Sequence, residues 1–256
     1  MGRRGTEVAK QAADLVLTDD DFGTVVAAIA EGRRVYDNIR RFVRYGLAGG
    51  AAEILVMLAG PFLGLGTPLL PAQILWINLL THGVPSVALG VEPAEPDVLA
   101  RPPRRPEEGI LTGRHGPIAR LALVLAAASV AVGVWAERTD RPWRSMVFAS
   151  LALGQLAVAL ALRTGRRRLT GNPFLTAAVA ADAALVPAAL YWAPLQTLLG
   201  TEPLDASDLA LVGAVSLAGA AAVTAEHAAT AFARRRSHPP SLSSAEQSLE
   251  TSEPTR

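Results

Sequence analysis

Glu53, Asn78, Thr81 and His82 are the residues of this chain best placed to do chemistry, because each stands deep inside an otherwise apolar stretch. A charge at mid-bilayer costs roughly 2.5–3.5 kcal/mol even on lenient insertion scales, so polar groups there are informative. Asn78, Thr81 and His82 are spaced i, i+3 and i+4, which on a regular helix gives them one face. Carboxylate, amide, hydroxyl and carbonyl oxygens are the usual shell of a hard cation. An imidazole suits zinc, nickel or copper better, and its ionisation near neutral pH opens proton coupling. Gly49-Gly50 and Pro85 weaken the helices nearby and are expected to free backbone carbonyls as further ligands. Each residue taken alone has a plainer reading. Glu53 as a neutral or snorkelling acid, Asn78 and Thr81 as interhelical hydrogen bonds, and His82 as packing all remain open. The cluster is stronger than its members, and spacing alone gives an ion or proton pathway.

Gln155, Asp182 and Glu226 are weaker signals. Asp182 stands among alanines and favours a structural reading, protonated or paired with another helix. Glu226 and His227 lie close enough to a helix end to be solvated, and His115 and His238 fall in polar segments. No catalytic and no cofactor-binding residue stands out, since Gly2 with Gly5 does not make a nucleotide-binding loop.

The elements that position these residues are legible from composition. Half of the 256 residues are apolar, and they are clumped into stretches of about the length that crosses a bilayer. Ala, Leu, Val and Gly dominate, and small residues let membrane helices pack closely. The expected spans are 45–65, 70–90, 116–136, 144–163, 173–192 and 208–229. Ahead of them, Val8 to Ala13 is helix-like, Asp14 to Leu17 resembles a strand, and Thr18-Asp-Asp-Asp21 is suited to cap the next helix. That helix runs from Phe22 through Arg44 into the membrane as a stalk. The fold class is therefore an all-α membrane protein: a six-helix transmembrane bundle over 45–230, a soluble remnant and stalk over 1–44, and a disordered tail over 231–256.

Charge sets the expected orientation. Lys10 is the only lysine, so the positive charge is carried by arginine. Basic residues crowd the stalk, the proline-rich 91–115 loop, the 163–168 loop and the Arg234-Arg-Arg236 tail; the 66–69 and 193–207 loops have none, and 137–143 is mixed. With an even number of spans this places both termini in the cytoplasm of a multi-pass plasma-membrane protein. A soluble helical bundle does not explain the alternation. The arginines themselves read most simply as topology and headgroup determinants. The absence of cysteine excludes disulfides and thiolate metal sites, no early apolar core suggests a cleavable signal, and the expected partners are lipid and a cation rather than nucleic acid.

Several strings resemble P-type ATPases of the calcium-pump type. Gly5-Thr-Glu-Val-Ala-Lys10 with Ala12 to Asp19 is similar to the end of the phosphorylation domain. Tyr36-Asp-Asn-Ile-Arg40 and Phe42-Val-Arg-Tyr45 resemble the stalk entering the fifth membrane helix, and Leu70 to Leu79 resembles the start of the sixth. Gly90-Val-Glu-Pro93 and Arg101-Pro-Pro-Arg104 resemble the loop that follows. The ordered match covers 1–112; the remainder agrees in helix count and spacing. The resemblance implies membrane helices five to ten and an ion site at Glu53, Asn78 and Thr81. It also implies three departures: Gly50 stands where calcium pumps carry an Asn, His82 where they carry an Asp, and Gln155 where they carry a Glu. Calcium specificity is thereby put in doubt while the pump architecture is not, and His82→Asp is expected to shift preference toward calcium.

The phosphorylated Asp of the Asp-Lys-Thr-Gly-Thr motif and the Gly-Asp-Gly-x-Asn-Asp motif are absent. ATP and magnesium are implied only for a complete pump, and no ATPase activity is expected of the chain alone. Met1 resembles an internal Met of the family, so the chain is expected to be a fragment whose partner is the missing N-terminal pump half. Two other functions stay open: a degenerate, non-enzymatic membrane module that binds or regulates a partner, and a secondary transporter using Glu53 and His82 for proton coupling.

Overall fold

A computed structural model describes residues 2–3, 5–105, 107–113, 115–163 and 171–237. Among them every regular element is helical. α1 (Glu7–Gln11) is short, and α2 (Phe22–Phe62) carries both stalk and first span in one piece. At 1.5 Å per residue its 41 residues reach about 60 Å, twice a bilayer core, so a long part stands clear of the membrane. Asp21 caps it, its side chain accepting from Gly23 N at 2.8 Å, which fulfils the acidic start signal. The Asp14–Leu17 run forms no strand. Leu17 O accepts from Gly2 N at 2.6 Å, but a strand needs a ladder of neighbours and the described residues supply none.

The second span is built from three pieces: α3 (Pro71–Trp76), a π-helical stretch (Ile77–His82) and α4 (Gly83–Gly90). α5 (His115–Arg138), α6 (Trp143–Ala161), α7 (Pro173–Tyr191), short α8 (Ala193–Leu199) and α9 (Ala206–Ser237) complete the bundle. The α2 helix, the α3–α4 unit, α5, α6 and α7 are each long and apolar enough to cross a membrane, and Ala206–Ala222 is a shorter apolar stretch where the sixth span was expected. The protein is an all-α, multi-pass membrane bundle.

α6 is its axis. Met146 to Ala152 are buried around the whole circumference, as a helix apolar on every face must be. It packs against α5 and α9, and α2 packs against α5. Close approach relies on small residues: a Cβ on Gly133 of α5 would stand 2.5 Å from Val147 Cγ2 of α6. Two expectations change. Residues 193–199 form α8 rather than loop, and 231–237 continue α9 rather than start the tail, in keeping with the alanine-rich run before them. Most of the 163–168 loop, His238 and the tail beyond it lie outside the described residues, as do the side chains of Glu226 and His227.

Candidate functional site

The site forms where α2 meets the π-helical stretch. Tyr45, Gly49 and Glu53 are spaced by four on α2, so they make one stripe, and it faces the π-helical stretch. Asn78 Nδ2 donates to Glu53 Oε2 at 2.8 Å and to Ile74 O at 2.9 Å. His82 Nδ1 stands 3.3 Å from Asn78 Oδ1 and 3.9 Å from Glu53 Oε1. Gln155 of α6 approaches from the inner side, Nε2 to Glu53 Oε1 at 3.5 Å. Glu53 is only 5% exposed, so its carboxyl group depends on these partners rather than on water.

All five sequence candidates therefore reach one locality, but not in the way regular helical spacing predicts. The π-helix carries more residues per turn than an α-helix. Asn78 and His82 still meet across one turn, Oδ1 to Nδ1 at 3.3 Å, although Asn78 is exposed where Thr81 and His82 are buried. Thr81 joins through its backbone: its carbonyl accepts from Tyr45 Oη at 2.6 Å. Pro85, four residues on, has no N–H to offer that carbonyl. The expectation of a freed carbonyl is met at Thr81, and Tyr45 takes it up. At Gly49-Gly50 the expectation fails, because α2 runs through the pair uninterrupted.

Outside this cluster, Asp182 on α7 is buried and its Oδ2 has no hydrogen-bond partner, so no interhelical pair forms at that oxygen. Glu53 and Asn78 border a groove of about 610 Å³ between α2 and α3, otherwise lined by apolar side chains and by Gly46 and Gly50. Its lining residues Leu47, Ile54 and Leu58 are exposed, so the site opens on one side. Among the described residues no three of His, Cys, Asp or Glu come together in a way that would hold a metal ion.

The stalk arginines are more than topology signals. Arg33 Nη1 donates to Val98 O and Arg101 O at 2.8 and 2.7 Å, and Arg34 Nη1 donates to Glu92 O at 2.9 Å. Asn38 Nδ2 donates to Gly90 O and Glu92 O, and Arg41 pairs with Glu95 at 2.5 Å. Arg101 returns the contact to Asp37 at 2.8 Å. The loop after α4 is thus strapped to the stalk that carries Glu53. Tyr45 and Asn38 carry no mark as site or support residues in the sequence, because their partners lie 36 to 54 positions away and leave no local pattern, and Gly49, expected to free a carbonyl, instead makes room for the His82 ring.

Comparison with known proteins agrees with this architecture. The family described as "Cation transporting ATPase, C-terminus" matches residues 66–228. A calcium-transporting ATPase of Bacillus subtilis is 40% identical over 221 residues, covering 83% of this chain and 25% of that protein. Calcium-transporting ATPase 1 of Yarrowia lipolytica is 36% identical, covering 82% of this chain and 24% of its own length. A probable cation-transporting ATPase F of Mycobacterium bovis is 47% identical over 135 residues, or 53% of this chain and 15% of that protein. The chain thus spans about a quarter of the length of the first two relatives, and it belongs to the cation-transporting ATPase C-terminal family, homologous to the membrane part of P-type ATPases.

Proposed function

We propose that this chain forms one wall of the ion path of a cation-pumping ATPase, with Glu53 and Asn78 as the groups that meet the ion and Thr81, His82 and Gln155 around them. The observation that carries the reading is the Glu53–Asn78 pair, joined at 2.8 Å on the border of an otherwise apolar groove that is open on one side. A hard cation takes about six to eight oxygens, and one carboxylate with one amide is too few. The open side fits completion by another part of the pump, the N-terminal half being the natural partner. ATP and magnesium would act there, and the phosphoryl chemistry with them. The reading places the chain in the plasma membrane with both termini cytoplasmic, supported by the distribution of arginine.

A chimera tests this: the chain replaces the matching 221-residue segment of the Bacillus subtilis relative. Cation-stimulated ATP hydrolysis in membranes should fall at least tenfold on Glu53→Gln, while Glu202→Gln, remote from the groove, leaves it unchanged. Equal activity of the Glu53→Gln chimera and its parent would overturn the reading.

A further inference from the structure

We propose that His82 is a positioning residue seated on Gly49, and that the pair holds the Asn78 amide with its nitrogen toward Glu53. Its meaning for transport rests on the ion-site reading above; its geometry does not.

An amide has a donor end and an acceptor end, and its surroundings decide which faces where. Asn78 Nδ2 lies 2.9 Å from the Ile74 carbonyl, which can only accept, and 2.8 Å from Glu53 Oε2. The nitrogen end is therefore fixed. Oδ1, at the other end, faces His82 Nδ1 at 3.3 Å. Two bare acceptors at that distance would repel, so Nδ1 carries the proton and donates. The remaining ring nitrogen, Nε2, is buried against Gly49 with no hydrogen-bond partner, and Gln155 is the further polar side chain beside the ring.

The ring reaches this pose only because residue 49 has no side chain. A Cβ on Gly49 would stand 2.1 Å from His82 Nε2, 2.8 Å from Cε1 and 3.2 Å from Cδ2. On another side the ring meets Tyr45 edge-on, with centroids 5.5 Å apart. Tyr45 also holds the backbone of the preceding residue through the Thr81 carbonyl. The imidazole is thus wedged between two α2 residues four apart, and its free nitrogen points at the α2 backbone.

This changes the role that residue type alone assigns to His82. Its Nδ1 serves the amide and its Nε2 faces helix backbone, so the ring stands behind Asn78 rather than offering a lone pair to the ion. The amide oxygen is turned away from Glu53. For that oxygen to join the carboxylate around a cation the amide must turn over, which would set its NH₂ against the Nδ1–H. His82 thereby biases Asn78 toward the cation-free orientation.

Substitutions separate positioning from ligation. His82→Asn places an amide N–H near the position of Nδ1 and lacks the far half of the ring. His82→Gln places its amide nearer the position of Nε2, where a Cβ on residue 49 would lie. The full chain, purified in detergent micelles with ¹⁵N-labelled His and Asn, gives the readout. His82, assigned by loss of its signals in His82→Asn, should show a proton-bearing Nδ1 and a bare Nε2. The Asn78 side-chain amide resonances should stay in place in His82→Asn and move in His82→Gln. Gly49→Ala should lower the thermal unfolding midpoint of the wild-type chain at least twice as far as that of His82→Asn. If Gly49→Ala fails to fold alone and folds beside His82→Asn, the wedge is equally supported. A proton on Nε2, retention by Gln with loss by Asn, or an equal effect of Gly49→Ala in both backgrounds would overturn the proposal. None of these measurements uses transport, so they stand or fall separately from the chimera.

Discussion

Tyr45 is buried, and its hydroxyl gives the Thr81 carbonyl a donor at 2.6 Å beside a proline that supplies none. Removing that hydroxyl leaves a buried carbonyl short of a partner, at a cost of about 1–3 kcal/mol. Tyr45→Phe is therefore expected to lower the unfolding midpoint by several degrees in detergent while keeping the helical content seen by circular dichroism. An unchanged midpoint would mean that Thr81 O finds another donor. Such residues also mark the limit of sequence reading. Glu53, Asn78 and Gln155 were legible because polar groups in apolar helices are costly and rare. Tyr45 was not, and Gly49 was legible only as a residue that weakens a helix: an aromatic or a glycine in an alanine-rich helix has no defined contact until its partner across the interface is known. Regular spacing put Thr81 on one face with Asn78 and His82; in the π-helix Asn78 and His82 stay in contact while Thr81 bonds through its backbone carbonyl.

At the scale of elements, the strap between stalk and loop continues into α7. Asn172 is buried and joins three pieces: its Oδ1 accepts from Leu175 N at 3.0 Å as the α7 cap, and its Nδ2 donates to Ala88 O at 2.8 Å and Glu92 Oε1 at 2.9 Å. Losing a cap costs about 1 kcal/mol and stranding buried acceptors adds a further 1–3 kcal/mol. Asn172→Ala should accordingly destabilise the chain by more than Lys10→Ala, whose ion pair with Glu7 is exposed. Equal effects would show that the Asn172 junction is not tightly coupled. The outer end of the stalk responds to acid. The hydrogen bond from Thr24 holds Asp19 below its ordinary range, and Arg34 does the same for Glu31. Depressed acids stabilise the fold above the ordinary carboxylate range and lose that contribution as pH falls through their lowered values. Amide hydrogen exchange across residues 19–34 should therefore quicken, relative to intrinsic rates, as pH drops below the ordinary carboxylate range. Exchange that stays flat would show that these contacts do not hold the helix start. Apolar runs and the Asp21 cap made the long helices legible to within a few residues, the end of α9 apart. The missing strand and the added α8 were not, because the first depends on neighbours outside the run and the second is too short to show periodicity.

For the whole molecule, the connections sort into two groups. At one end Arg144 Nε donates to Thr67 O at 3.2 Å, Glu202 N donates to Ser145 Oγ at 2.7 Å, and Arg141 pairs with buried Asp208. The turn after α2, the turn between α5 and α6, and the segment around α8 thus meet on one side. At the other end the stalk, the loop after α4 and the start of α7 meet through Arg33, Asn38 and Asn172. This grouping is independent of charge, yet it divides the loops as the arginines do. Of the three arginines at the basic-poor end, Arg138, Arg141 and Arg144, the last two are engaged, Arg141 by Asp208 and Arg144 by the Trp143 ring 4.7 Å away and the Thr67 carbonyl. They are therefore weaker topology signals than the stalk cluster. On the functional reading, chain purified alone should form no acyl-phosphate from labelled ATP, and stable labelling of a homogeneous preparation would contradict it. The orientation is the sharper test of the whole arrangement. Reporter fusions after residues 67, 140 and 200 should report the extracytoplasmic side, and fusions near 105, 166 and 236 the cytoplasm. If 67, 140 and 200 do not report together, the grouping of loops is wrong. If they report together from the cytoplasm, the grouping stands and the arginine argument fails.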